Sequence, residues 1–394
     1  MNDNTDGTTG APTRRDYMKY GGTVVGGGLL AGCSDLAGQS EPGSSDESDG
    51  SYSVTMAPMG EVSFDSPPES IFTRLTHHAG MAFALGRGND VNAMHASDYY
   101  DGLWNQFIER LPGVTLDWSG LYSSWDPDEE MLYDLDSDIH LADPASVNAL
   151  DSWDAADIEE IGETVSPWFG NTFSDRHNEP PTEWVDRYEY YTLWELFEKV
   201  AAVFREESRY DALETIHADL LATIKENLPP EEERPTAVLA GMSDIESIYV
   251  YALKSPGFLT AHMRPLGPIG ALGDDISANN TIDMEGLLEA DPDVIFALGG
   301  MSPQTDMLQI REGLGNHAVG RELSAVQNDR VYAQGARYQG PILNLFQLEM
   351  TAKQLYPAKF GEWPTYAEGP YPEIPEDEQL FDRQAVADII AGDH

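Results

Sequence analysis

Residues 283–297 read DMEGLLEADPDVIFA, and residues 128–142 read DEEMLYDLDSDIHLA. The two phrases stand 155 positions apart and are identical at six of fifteen places. Most of the remaining positions exchange like for like. Asp128 and Asp283 suit helix N-caps, because a short carboxylate can accept from free backbone N–H groups. Glu130 and Glu285 then fall in the first turn, where the helix dipole favours negative charge. Leu132 and Tyr133, matched by Leu287 and Leu288, are expected to face a core. Asp136-Ser-Asp138 and Asp291-Pro-Asp293 stop each helix. The apolar runs 139–142 and 294–298 follow, with strand-like length and β-branched residues. Each copy is thus a helix feeding a buried strand, as parallel α/β sheets require. Two copies so far apart imply two similar α/β lobes.

The front of the chain has a different character. Residues 13–33 read TRRDYMKYGGTVVGGGLLAGC. A charged start, a short apolar run and small residues describe an export signal. The run is shorter than the roughly 20 residues that cross a bilayer. Arg14-Arg15 resemble the twin-arginine export signal, which carries folded proteins. Leu30-Ala31-Gly32-Cys33 resembles a lipobox, which implies that Cys33 is lipidated and becomes the first mature residue. Cys33 is the only cysteine of the 394 residues. An intrachain disulfide and a CxxC site are therefore excluded. Residues 34–51, SDLAGQSEPGSSDESDGS, are polar, Gly/Ser-rich and acidic, and read as a disordered tether spanning roughly 20–25 Å.

Acidic residues number 69 against 22 basic ones, for a formal charge of −47. Such charge opposes a compact state in dilute buffer. At molar salt the Debye length falls to about 3 Å and the repulsion is screened. The acids are spread along the chain, which reads as adaptation to high salt. Nucleic acid, which needs basic patches, is excluded as a partner.

Beyond the tether, residues 52–186 are expected to form the first α/β lobe, opening with the alternating VTMAPMGEVSF. Within it, 71–75 and VNAM read as strands, and HAGMAFAL as a helix. Residues 187–230 hold two breaker-poor helical stretches, the second about 22 residues and roughly 33 Å long. That length suits a bridge between lobes. Residues 231–394 are expected to form the second lobe, with TAVLAG and RVYAQGA as strands and NLFQLEMTAKQLY as a helix. A Pro-rich tail and a final helix, LFDRQAVADII, are expected to dock on that lobe.

These features together resemble the solute-binding proteins of ABC importers, in the class whose lobes are joined by a long helix. FDSPPESIFT with HHAGMAFALG, the repeated "E…L…DPD-V" phrase, ELSAVQNDRVYAQG and QGPILNLFQLEMTAKQLYP carry the resemblance over roughly residues 52–360. Within the class the chain is similar to ferric-hydroxamate-binding lipoproteins of salt-loving archaea. The resemblance implies a ferric siderophore or similar Fe(III)-chelate as ligand, with haem, cobalamin or a bare Zn or Mn ion as alternatives. It implies a monomer that delivers its ligand to an ABC permease dimer and its ATPase, held to the outer face of the membrane by lipid. It implies no catalysis and no resident cofactor or metal, and only modest lobe closure. It also implies that Glu130 and Glu285, one per lobe, dock on arginines of the two permease subunits.

In open α/β sheets, ligands bind beyond the carboxyl ends of the strands. The candidates are accordingly Thr76, His77 and His78, then His95, Tyr99 and Tyr100 in the first lobe. The second lobe offers Tyr249, Tyr251, Met301, Arg337 and Tyr338. Arg337 stands out, since a guanidinium suits the oxygen-rich, often anionic face of a metal chelate. The tyrosines can lie flat against a bulky ligand. His77 and His78 could ligate a metal or donate to a carboxylate, though adjacent side chains seldom enter one site. Enzyme signatures are missing: the chain has no GxSxG, HExxH or P-loop, which leaves a secreted lipid-anchored hydrolase, with acids and histidines brought together by folding, as the remaining enzyme alternative.

Overall fold

The computed structural model describes residues 50–393 apart from 243, 274, 275 and 277–279. The export-signal residues Arg14 and Arg15, the lipobox Cys33 and nearly all of the tether lie outside the described residues.

The described residues begin with an antiparallel hairpin, β1 (Tyr52–Met56) and β2 (Gly60–Phe64), which forms a sheet of its own. The first lobe follows: β3 (Ile71–Thr73), α1 (Thr76–Ala84), β4 (Val91–Ala93) and α2 (Ser97–Ile108), then α3 (Glu129–Leu135), β5 (Ile139–Leu141), α4 (Pro144–Asn148) and α5 (Ala155–Thr164). Its strands are parallel in the order β4-β3-β5. Parallel bridges extend both edges, Ala93 to Tyr122 and His140 to Trp168. Two helices come next, α6 (Leu193–Phe204) and α7 (Glu207–Asn227), parted at Arg205 in the left-handed conformation.

The second lobe holds β6 (Thr236–Gly241), β7 (Ile248–Tyr251), β8 (Ile269–Gly270), β9 (Thr281–Ile282), α8 (Met284–Ala290), β10 (Val294–Ala297), α9 (Met307–Asn316), α10 (Ser324–Gln327) and β11 (Val331–Ala333). Strands β8, β6, β10 and β11 are parallel; β7 alone is reversed, pairing antiparallel with both β6 and β9. The second sheet is therefore mixed, not purely parallel as the repeated phrase suggested. Three helices close the chain: α11 (Pro341–Leu355), α12 (Pro357–Phe360) and α13 (Arg383–Ala391).

The two copies of the repeated phrase fold alike in detail. Asp128 caps α3 by accepting from Met131 N, and Asp283 caps α8 by accepting from Gly286 N. Glu130 and Glu285 both occupy the second helical position and are exposed. Leu132 and Leu287 are fully buried. Asp136 and Asp291 end the helices in the left-handed conformation, at φ 44° and 37°. Aspartate tolerates that region better than a β-branched residue would. The strand after each helix then pairs in parallel with the lobe's first strand, β5 with β3 and β10 with β6. Tyr133 departs from expectation: it is 44% exposed, and its hydroxyl reaches Glu160 and Thr164 on α5. An amphipathic ring can pack its edge and keep its hydroxyl wet.

Helix α11 is buried along its whole length and holds the lobes together. It crosses α1 where Gly80 meets Gly340; a Cβ on Gly340 would lie 2.8 Å from Gly80 Cα. Only glycines allow that approach. One continuous apolar core therefore runs from Ile71 and Phe83 in the first lobe to Leu239 and Phe296 in the second. Among the polar side chains buried on α11 is Glu349. That carboxylate accepts from Arg383 at 2.7 Å, from the Tyr371 hydroxyl at 2.7 Å and from Leu380 N at 2.6 Å. The tail is thereby fastened to α11. The final helix reaches further than the second lobe, since Ile390 O accepts from Arg209 on α7.

Candidate functional site

The carboxyl ends of β3, β4, β10 and β11 lead into a cluster of aromatic and basic side chains. Directly after β3, Arg74 is buried beneath the cluster. It donates Nη1 to Ser146 Oγ at 2.6 Å and Nη2 to Trp125 O at 3.0 Å, and its guanidinium lies 5.3 Å from the Trp125 ring. The His95 ring stands 4.3 Å from Trp125 and 5.6 Å from Tyr100, and Tyr99 meets Tyr100 edge-on at 5.0 Å. These are the first lobe's contributions.

The second lobe answers through the segment after β11. Tyr338 O accepts from Thr76 Oγ1 at 2.7 Å, which ties the start of α1 to that segment. The His77 ring stacks on Phe258 at 4.6 Å and lies 5.8 Å from Tyr338. The Arg337 guanidinium sits 4.8 Å from the Tyr338 ring and 5.9 Å from Tyr251. Its Nη2 lies 3.3 Å from Asp175 Oδ2, in a short 3-10 turn at Phe173–Asp175. A cavity of ≈ 200 Å³ opens beside this pair, lined by Asp175, Tyr251, Ser255 and Leu259 among others.

Burial sets the protonation of these groups. It holds His77 well below its ordinary value, with His78 adding to the effect, and takes His78 to about 3. Burial and the nearby Arg74 charge bring His95 to about 4. All three are therefore neutral at pH 7. Burial pushes the Tyr338 hydroxyl up to about 12. It also raises Asp175, against the opposing pull of Arg337. Both ring nitrogens of His77 and of His78 are buried without a hydrogen-bond partner, as is Arg337 Nε. Buried polar atoms normally find partners, so the cleft has unmet hydrogen-bonding capacity.

Of the residues singled out from sequence, His77, His95, Tyr99, Tyr251, Arg337 and Tyr338 belong to this connected cluster, with Tyr100 and Thr76. His78 is fully buried on α1, its ring 3.9 Å from that of His77. The helix read from His78 starts two residues earlier, so Thr76 and His77 lie in its first turn with His78. Tyr249 and Tyr251 both lie inside β7 rather than after a strand, and Tyr249 is 50% exposed. Met301 is fully buried. Among the described residues, no three His, Cys, Asp or Glu side chains are grouped to hold a metal ion. Sequence reading missed Arg74, Trp125, Asp175 and Phe258. Arg74 was within reach, as a scarce arginine directly following a strand; the other three sit in irregular segments without periodicity.

Residues 154–338 match the family model described as periplasmic binding protein. None of the curated proteins compared with the chain matches it. Among solved structures, the iron-uptake ABC-transporter substrate-binding protein PiuA of Streptococcus pneumoniae matches with TM-score 0.52 at 15% identity, over 75% of this chain and 96% of that one. The petrobactin-binding protein YclQ of Bacillus subtilis matches with TM-score 0.52 at 15% identity, over 77% and 96%. A periplasmic solute-binding protein of Mycobacterium smegmatis matches with TM-score 0.54 at 14% identity, over 78% and 98%. At such identity these likenesses establish the fold, a two-lobed α/β architecture. Among the described residues no helix is long and apolar enough to cross a membrane.

Proposed function

We propose, from the premise of a periplasmic-binding-protein fold, that this protein binds a ferric siderophore, hydroxamate-type or similar, and delivers it to an ABC importer. The observation that carries this reading is the convergence of Arg337, Tyr338 and Tyr251 from one lobe with His77, His95 and Tyr100 from the other. Flat aromatic faces and partly unmet guanidinium donors suit a bulky, oxygen-rich metal chelate. PiuA, an iron-uptake protein, and YclQ, a petrobactin-binding protein, are in keeping with that chemistry. In this reading the lobes are residues 52–186 and 231–394, bridged by 187–230. Cys33 carries a lipid on the outer face of the membrane after twin-arginine export. Glu130 and Glu285 present the two lobes to two permease subunits, the protein works as a monomer, and it performs no catalysis.

Native mass spectrometry of the mature protein tests the reading. The protein is exposed in high salt to a ferric trihydroxamate, a ferric tricatecholate, haem, cobalamin and free Fe, Zn and Mn. A one-to-one complex with a ferric chelate is expected. Retention of a bare metal ion alone, or of none of these, would sink it.

A further inference from the structure

Arg337 and Asp175 meet through one long contact, 3.3 Å from Nη2 to Oδ2. Charge-assisted pairs of good geometry are shorter and often bidentate. Yet Asp175 is not a loose partner. Its side chain is 5% exposed, and Oδ1 accepts from His177 N at 2.8 Å, within its own turn. Its carbonyl oxygen would lie 1.9 Å from a Cβ built on Gly257, so the turn is seated hard against the segment at 257. Swinging this carboxylate off the guanidinium would break the hydrogen bond from His177 N that holds it in the turn. Arg337 meanwhile keeps donors in hand, since Nε is buried without a partner. Its charge is neutralised in place while its hydrogen-bonding capacity remains. Arg74, by contrast, has its donors engaged. Its donors go to Trp125 O and Ser146 Oγ, and Asp143 and Asp126 face its charge.

We propose, resting on the ligand-binding reading above, that Asp175 determines charge specificity: it is a fixed counter-ion that makes the cleft take a metal chelate of zero net charge and turn away an anionic one. A neutral chelate accepts from the remaining Arg337 N–H groups and lies against the Tyr338 and Tyr251 rings. An anionic chelate meets a carboxylate that cannot move aside. Salt does little to relieve that repulsion, because screening is weak in an enclosed site.

The test is fluorescence titration in molar salt with two probes, a neutral ferric trihydroxamate and a trianionic ferric tricatecholate. The mature protein is compared with Asp175→Asn, and with Asp175→Ser should the amide not fold. The unmodified protein should bind the trihydroxamate at least about tenfold tighter. The variant should shrink that ratio by about tenfold or more through tighter tricatecholate binding, with trihydroxamate affinity changing less than about threefold. A ratio unchanged by the substitution, or an unmodified protein that prefers the tricatecholate, would overturn the proposal while leaving chelate binding intact. Failure of both probes to bind the unmodified protein would instead overturn the ligand-binding reading, and this inference with it.

Discussion

Asp138 Oδ2 accepts from the backbone amides of Glu69 and Ser70, at 2.9 Å each, and Asp293 Oδ2 accepts from the amide and hydroxyl of Thr236, at 2.8 Å each. The two aspartates hold the same place in the repeated phrase. Each precedes a parallel strand and ties down the segment that leads its neighbour into the sheet. The second acidic residue of the motif therefore sets strand register, not helix termination. Replacing either with alanine removes two hydrogen bonds at an exposed strand start. We expect a loss of about 1–2 kcal/mol for each, measured by guanidinium unfolding in constant high salt. Equal, additive losses would support structural equivalence of the lobes. A loss at one site and none at the other would refute it.

Arg337→Ala should weaken ferric trihydroxamate binding by roughly 1.5–3 kcal/mol, the range for a charged hydrogen bond. It should also lower stability without ligand, by about 1–3 kcal/mol, because Asp175 is left buried and unpaired. Titration and thermal unfolding of the same variant check both parts. Unchanged affinity would remove Arg337 from the site, and an unchanged melting temperature would show that Asp175 relaxes into solvent.

Glu130→Arg and Glu285→Arg should leave ligand affinity intact and reduce uptake in cells, and the double substitution should abolish it. Both glutamates are exposed at matching helix positions. Favourable helix-dipole contact alone, worth about 0.3–1 kcal/mol, predicts a small stability change and normal uptake. Arginine-to-glutamate changes in the permease should restore part of the activity. Normal uptake by the double variant would show that the repeat reflects ancestry and packing.

Acidification should destabilise the protein below about pH 6.5, the unfolded value for histidine. Burial depresses His78 and His262 to about 3, and His95, His140 and His217 to about 4. The unfolded chain therefore takes up protons that the folded chain refuses, so stability falls as pH drops through this window. Asp143 acts in the opposite sense. Burial raises it to about 6, so the folded chain gains a proton there first and offsets one histidine. The net uptake is still several protons, each worth about 1.4 kcal/mol per pH unit at most. Melting temperatures at fixed molar salt between pH 7 and 5 should decline steadily. A flat profile would contradict the burial of these rings.

Cys33→Ser should release folded protein into the medium, and changing Arg14-Arg15 to lysines should block export. Fractionation of cells and medium reports both. A Cys33→Ser protein that stays with the membrane would refute lipid anchoring.

How much of this was legible in sequence depended on local periodicity. The helix, stop and strand of each repeated phrase follow from residues within one short window, and the caps at Asp128 and Asp283 form as that window implies. Tyr133 misled because its partners, Glu160 and Thr164, lie on a helix that the window does not contain. The same limit divides the site. His77, Arg337 and Tyr338 could be found because they follow strands. Asp175, Phe258 and Trp125 could not, because irregular chain carries them there and only tertiary contact defines their place. The reversed strand β7 was likewise hidden: its short run looks the same in either direction.

The glycine crossing of α1 and α11 makes the thermodynamics of the molecule indivisible. Halves that share the larger hydrophobic core are coupled in melting, although the first also holds a smaller core around Phe72 and Trp168, so calorimetry should show a single endotherm whose van't Hoff and calorimetric enthalpies agree. A destabilising change deep in either half should then shift that one transition. A first half expressed alone would carry the bare face around Gly80 into water, leaving Trp104, which a Cβ on Gly80 would touch, without its cover from Gly340.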